Sequence, residues 1–246
     1  MGTKAKVTIS RAVSILNREK PAFLEGLSPA EVRMVVAKAG VRRYAANAVI
    51  TNEAAGANHL FLLLEGAGRG YALTSRGKKI GLGWFPAGSI MGWASLVSKP
   101  MDYIVSMEAA ASSSALVWDR VTIQSFAAAL PRLLENAMKI AYEYVVTYRS
   151  LHLAALCDSA PQRLAQALSQ LATGMGHRVA DGMELHIRNE DLANEAHATV
   201  FTVSRQMREW QRQGLVRKDR GRVVVLQPDA LLRVDVYGCM IAPVET

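Results

Sequence analysis

Between Ile123 and Ala154 one stripe recurs at alternating spacings of three and four, through Phe126, Leu130, Leu133, Ala137, Ile140, Tyr144, Thr147 and Leu151. That is the a/d signature of a coiled-coil seam, so this part of the chain is helical. Pro131 does not fit inside a helix, so the spacing predicts a break there and a long helix from Pro131 to about Leu156. At about 1.5 Å per residue that helix is about 39 Å long. The same spacing suits a buried helix lying against its own domain. Its length favours a self-pairing dimer helix, with Leu133, Ala137, Ile140, Tyr144 and Leu151 facing the partner.

Upstream the period changes. From Val41 to Trp118 short strand-like runs (Val49-Ile50, His59 to Leu64, Gly70 to Leu73, Lys79 to Trp84, Ile104 to Met107) alternate with turn signals such as Ala54-Ala55-Gly56, Glu65-Gly66, Ser75-Arg76-Gly77 and Phe85-Pro86-Ala87-Gly88. Such close spacing predicts an antiparallel barrel or sandwich. Ser28-Pro29-Ala30-Glu31 opens a short helix through Lys38: a capping serine, a proline at the first helical position and an acid in the first turn. Downstream, Pro161 to Ala172 reads as an amphipathic helix, Gly174 to Gly182 as a loop, and Arg188 to Gln213 as two helices around a tight corner. A β-hairpin follows, turning at Lys218-Asp219-Arg220-Gly221 between Leu215-Val216 and Val223-Val224-Val225. The sequence thus reads as α+β in two parts.

Half of the 246 residues are hydrophobic and 20% charged, which supports packed cores and excludes the composition of disorder. The weakly polar stretch from Tyr103 to Trp118 is interrupted by Glu108 and serines and is too short to span a bilayer. The N-terminus lacks the apolar core of a secretory signal, so the expected location is the cytoplasm and no membrane partner is expected. Two cysteines, Cys157 and Cys239, exclude a disulfide framework, a four-cysteine zinc site and an intrachain four-thiolate iron–sulfur cluster. Each reads as a small core residue, and no metal site is expected. Haem would require an axial ligand from His59, His152 or another of the five histidines, and no pattern singles one out.

The net charge of +8 favours an anionic partner. Its distribution is uneven, because residues 1–156 hold 18 basic and 10 acidic side chains whereas residues 157–246 hold 11 of each. Local clustering must therefore carry any nucleic-acid reading. From Arg205 to Arg222 there are seven basic residues against Glu209 and Asp219, a local charge of +5.

That cluster sits on a helix pair. Asn189 can cap a first helix whose inner face is Leu192, Ala193 and Ala196, His197-Ala198 makes the corner, and Thr199 caps a second helix. In it Val203, Met207 and Trp210 point into the core, while Phe201, Arg205, Arg208 and Arg212 fall on the opposite face. A helix-turn-helix places such a face in the major groove of duplex DNA. Arg205 and Arg208 have the fork geometry for guanine O6 and N7, and Thr199, Thr202, Ser204 and Gln206 can reach phosphates or base edges. The hairpin residues Arg217, Lys218, Arg220 and Arg222 can grip the backbone without reading sequence.

The run Asp191-Leu192-Ala193, Thr199-Val200-Phe201-Thr202-Val203-Ser204-Arg205 and Trp210-Gln211-Arg212-Gln213-Gly214-Leu215-Val216, with its hairpin, resembles the winged helix-turn-helix of the Crp/Fnr family of bacterial transcription regulators. Phe23 to Glu31, His59 to Gly66 and Phe85 to Gly92 are similar to the opening helix, strands and turns of that family's cyclic-nucleotide-binding-type barrel. The resemblance covers roughly Phe23 to Leu232 and lies in the order of parts. It implies a jelly-roll sensor barrel with N-terminal helices over 1–119, a dimerisation helix over 120–156, a DNA-binding domain over 157–234 and a tail over 235–246. It also implies a homodimer on near-palindromic DNA, switched by an unknown small effector, with RNA polymerase as a further expected partner.

Two departures shape the expectation. Val200-Phe201 stands where the family carries Arg-Glu, which points to an unfamiliar operator. Gly92 is followed by Trp93 instead of Glu, and Met101-Asp102-Tyr103-Ile104 offers no arginine for a cyclic phosphate, so a standard cyclic-AMP site is not expected. Trp84, Gly92, Trp93, Ser95 and Tyr103 are instead expected to line a pocket that is filled or takes a flatter, less charged effector.

An enzyme is the main rival. Leu62 to Gly70 approaches a dinucleotide-binding glycine loop, but Tyr71 breaks the pattern and a strand follows where a helix is needed. The nucleophile-elbow, zincin and Walker A signatures are absent. A second rival keeps the effector-binding dimer and replaces DNA with protein partners.

Overall fold

In the computed structural model, which describes residues 9–77, 79–219, 221–228 and 231, the first half of the chain forms eight strands among the described residues. They are β1 (Gly40–Tyr44), β2 (Val49–Thr51), β3 (His59–Glu65), β4 (Ala67–Leu73), β5 (Lys79–Pro86), β6 (Ile90–Met91), β7 (Ser106–Ala109) and β8 (Ser113–Asp119). Two antiparallel four-stranded sheets result, in the orders β1-β8-β3-β6 and β2-β7-β4-β5. This is the expected jelly-roll architecture, in which two sheets share one apolar interior.

β3 explains why its sequence does not alternate. Phe61 and Leu63 face the core shared with Phe85, Met91, Met107, Ala115 and Val117. Leu60, Leu62 and Leu64 face a second core covered by helices. A strand buried on both sides needs an unbroken apolar run, and Leu60 to Leu64 supplies one. β8, paired to β3 with Leu116 opposite Leu62, was hidden by its serines. Ser113 Oγ donates to Ala111 O at 2.8 Å and Ser114 Oγ to Glu65 Oε2 at 3.2 Å, so both polar groups are buried satisfied. The run expected over Ile104 to Met107 is shifted: the strand is Ser106–Ala109, and Ile104 is 64% exposed.

The covering helices are α1 (Ile9–Glu19), α2 (Pro29–Ala37), α3 (Arg120–Ala129) and α4 (Pro131–Cys157). Ser28 caps α2 in a reciprocal capping box with Glu31, as the sequence requires. Trp118 is fully buried and its Nε1–H donates to Val35 O at 2.8 Å, joining β8 to α2.

α4 has the predicted extent and break, but not the predicted facing. Leu133 and Ala137 are buried in the helix-covered core of the chain's own sandwich and Ile140 packs against it. The Tyr144 ring packs at a tilt against Phe85 of the inter-sheet core, their centroids 5.7 Å apart. Asn136 fixes this orientation by donating from Nδ2 to Phe23 O at 3.0 Å and Glu25 O at 2.9 Å. Four residues expected to face a partner therefore face inward, because a stripe at three-and-four spacing serves a helix on a domain as well as a helix on its twin. Leu151 is half-buried. The large apolar residues of α4 left open are Leu134, Met138, Tyr142, Val145, Val146 and Leu156, away from the inward stripe.

By contacts the chain divides into two compact units: the chain up to Ala72 with Leu82–Val145, and Leu73–Gly81 with the chain from Val146 onward. The second holds α5 (Ala160–Met175), β9 (His177–Val179), β10 (Gly182–Leu185), α6 (Asn189–Glu195), α7 (Val200–Arg212), β11 (Val216–Asp219) and β12 (Arg222–Val225). Its sheet runs β11-β12-β10-β9, and Leu164, Leu168, Leu192, Trp210 and Val223 are fully buried within this unit. The segment read as a loop, Gly174 to Gly182, instead ends α5 and contributes β9 and the start of β10, which completes the sheet begun by the hairpin. Strands of three and four residues with polar alternation carry too little apolar pattern to be seen beforehand. Cys157 is exposed at the end of α4 and is not a core residue; Cys239 and the tail lie outside the described residues. Among the described residues no helix is long and apolar enough to cross a membrane.

Candidate nucleic-acid interface

α7 begins as its sequence dictates. The Thr199 side chain accepts the Thr202 N–H at 3.1 Å, satisfying an amide that the helix leaves unbonded, and the two threonine Oγ1 atoms lie 2.9 Å apart. Val203, Met207 and Trp210 are fully buried. At about 100° per residue this leaves Phe201, Arg205, Arg208 and Arg212 on the outer side, and all four are exposed. Gln206 is half-buried beside them. Trp210 O accepts from Leu215 N at 2.9 Å and Gln211 O from Gly214 N at 3.2 Å, with Gly214 at φ 70°. This Schellman end turns the chain directly into the wing.

The corner before α7 carries backbone strain, since His197 sits at φ 46°. Arg163 of α5 closes it: Nε donates to Ala196 O at 3.0 Å, Nη2 to His197 O at 3.2 Å and Nη1 to Asp158 O at 2.6 Å. No sequence signal connects Arg163 to a corner 33 residues away, and this role went unforeseen.

Asn189 is not the cap of α6. The N-cap is Arg188, without a side-chain bond, and Asn189 occupies the first helical position. Its amide instead donates to Ser204 Oγ at 2.8 Å and its Oδ1 accepts from Lys218 Nζ at 2.6 Å, tying α6, α7 and the wing together. Burial, and then the nearby charge of Arg208, push the pKa of Lys218 below that of an ordinary lysine.

In the wing, Val216 pairs with Val225 and Asp219 with Arg222, so the strands run closer to the turn than expected. Arg220 lies outside the described residues. Arg217 is bound to Asp181 of the β9–β10 turn, its second bond at 3.2 Å, and the hydrogen bond lowers the pKa of Asp181 while raising that of Arg217. Arg212 pairs with Glu209 at 3.0 Å. Arg205, Arg208 and Arg222 are exposed and make no ion pair among the described residues. The expected DNA-contacting set thus divides. Phe201, Arg205, Arg208 and Arg222 are open, whereas Thr199, Thr202, Ser204, Arg212, Arg217 and Lys218 already hold one another or their neighbours.

The residues expected to form one effector pocket are brought together only in part. Gly92, at φ 77°, leads into a single 3-10 turn over Trp93–Leu96; an added Cβ would lie 2.5 Å from His59 O and 2.9 Å from the Tyr103 ring. Tyr103 fills the space over Gly92, and its hydroxyl accepts from His59 N and donates to His59 O, both at 3.1 Å. Trp93 packs on the helix-covered core, away from the inter-sheet core that Tyr103 joins. Ser95 is fully buried with its Oγ unpartnered. Trp84 lies under the Arg69 guanidinium at 5.6 Å, beside the Arg69–Glu108 ion pair at 2.8 Å. A cyclic phosphate needs charge-assisted donors where it binds. At Gly92 an aromatic ring stands in that space and the 93–104 segment carries no arginine, so these residues do not fit one.

Comparison with known proteins follows the same division. The family model described as cyclic nucleotide-binding domain matches residues 41–129, and the one described as Crp-like helix-turn-helix domain matches residues 162–234. Electron transport regulator A of Shewanella oneidensis is 22% identical over 169 residues, covering 68% of this chain and 66% of that protein, so the match spans just under two thirds of the relative's length. FixK2 from Bradyrhizobium japonicum superposes with a TM-score of 0.70 at 22% identity, over 80% of this chain and 97% of that one. CLP of Xanthomonas campestris, described as a c-di-GMP-responsive global regulator, gives 0.69 at 18%, over 80% and 99%. At these identities the two structures speak for the fold. With both domain models matched in the order barrel then helix-turn-helix, and together taking in most of its length, the chain belongs to the Crp/Fnr family of transcription regulators.

Proposed function

We propose that this regulator binds DNA sequence-specifically as a homodimer on a near-palindromic operator, and that its barrel answers to an effector other than cyclic AMP. The observation that carries the DNA reading is the open face of α7: Arg205 and Arg208 are exposed without ion pairs, and so is Arg222 of the wing. Guanidinium forks in that position match guanine O6 and N7, and the wing arginine suits a phosphate. The exposed Leu134, Met138, Tyr142 and Val145 of α4 support self-pairing, because an apolar helix stripe left to water is otherwise costly. In the dimer the two recognition helices serve half-sites about one DNA turn apart. The effector biases two arrangements of that dimer, which makes DNA affinity depend on the signal. Contact with RNA polymerase and residence in the cytoplasm belong to the same proposal.

Fluorescence anisotropy of labelled promoter duplexes at two salt concentrations tests it. Three unpaired arginines per chain, doubled in a dimer, give a slope of log affinity against log salt of about −5. A flat, weak and sequence-blind response would refute the DNA reading and favour protein partners.

A further inference from the structure

We infer that Phe201 reads the C5 methyl group of a thymine in the major groove, within about two base pairs of the base read by Arg205; the inference rests on the DNA-binding reading above. Phe201 is 75% exposed, whereas Phe23, Phe61, Trp118 and Trp210 are at most 2% exposed, so the fold buries aromatic rings where it has use for them inside. It occupies the first turn of α7, and at about 100° per residue it shares a narrow stripe with Arg205, Arg208 and Arg212. Val200, itself 42% exposed, forms an apolar shoulder beside it.

The charge on that stripe decides what covers the ring. An apolar protein groove would have to desolvate the guanidiniums of Arg205 and Arg208 along with Phe201, at high cost. A DNA duplex takes both kinds of side chain at once. Its phosphates and guanine edges accept the arginines, and the apolar group displayed by base pairs in the major groove is the thymine methyl. Four residues of helix advance about 6 Å, close to two base steps of about 3.4 Å, which places the methyl within about two base pairs of the base facing Arg205. Phe201 therefore sets specificity by excluding water from a methyl group, without hydrogen bonding.

The test enriches duplexes from a randomised pool with the full chain, then rebuilds the enriched duplex with uracil replacing thymine at one position at a time. Uracil removes the methyl and leaves the hydrogen-bonding edge intact. One position per half-site is expected to bind about fourfold more weakly as uracil, and about fifteenfold when both half-sites are changed. Phe201→Ala, which keeps its fold because the ring is exposed, is expected to bind the thymine and uracil duplexes equally. An enriched duplex in which every uracil substitution is silent, or a Phe201→Ala protein that keeps the full uracil penalty, overturns the inference while leaving DNA binding intact. A pool that yields no enriched sequence overturns the DNA reading, and the inference with it.

Discussion

Asn189→Ala removes a side chain on which three elements meet. The substitution deletes the bond to Ser204 Oγ at 2.8 Å and strands the Lys218 ammonium that now donates to Oδ1 at 2.6 Å. A neutral hydrogen bond contributes about 1 kcal/mol net and one from a charged donor about 1.5–3 kcal/mol. Lys218 is only half-buried and rehydrates once released, so the lower end of that range applies. Alanine at the first position of α6 returns about 0.5 kcal/mol of helix propensity. The expected net loss is about 2 kcal/mol, confined to the junction of α6, α7 and the wing. Hydrogen exchange of the full chain, followed by mass spectrometry, reads this directly. Amides at the start of α7 and in β11 should exchange about thirtyfold faster, while β3 and β8 keep their rates. Asn189→Asp keeps an acceptor for Lys218 and adds a favourable charge at the helix start, so it should lose less than half as much. Exchange in Asn189→Ala that stays within about threefold of wild type would refute the argument that these bonds couple wing to helix.

Other outcomes follow from the same geometry. Met138→Asp, at a site 68% exposed in the single chain, should leave each copy folded but weaken self-association about a hundredfold or more, because pairing would bury an unpartnered carboxylate; sedimentation velocity across a dilution series checks it. Asp119 caps α3 by accepting from Thr122 N at 2.9 Å and Thr122 Oγ1 at 2.7 Å, and these bonds hold its pKa below that of an ordinary aspartate. A depressed carboxylate stabilises the fold above its unfolded pKa and stops doing so as pH falls through its folded value. Asp119→Ala should therefore cost about 1 kcal/mol at pH 7 and progressively less towards pH 3, whereas Asp119→Asn should show no such pH dependence at this site; melting temperatures at the two pH values decide.

Much of this architecture could be read from local pattern. The capping box of Ser28 and Glu31, the Thr199 cap, the break at Pro131, the strand and turn spacing before Trp118 and the buried face of α7 are all written in residues close together in sequence. The misreadings concern what faces what. Leu133, Ala137, Ile140 and Tyr144 have a spacing that does not say whether the surface opposite is a twin helix or the chain's own sandwich, and Asn136 settles it only through carbonyls more than a hundred residues away. The candidate interface divides in the same way. The exposure of Phe201, Arg205 and Arg208 follows from helical period, whereas the engagement of Arg217 with Asp181 and of Lys218 with Asn189 depends on partners about thirty or more positions distant. Tyr103 over Gly92 is a third case, because an arginine missing from a motif does not reveal which side chain has taken the room.

Arg163 gives the reading head a mechanical property. One planar group holds both carbonyls of the α6–α7 corner and the carbonyl of Asp158, which joins α4 to α5. The corner therefore has no hinge of its own, despite a residue in a left-handed conformation. The end of α4 and the start of α7 are thus held together through a single side chain.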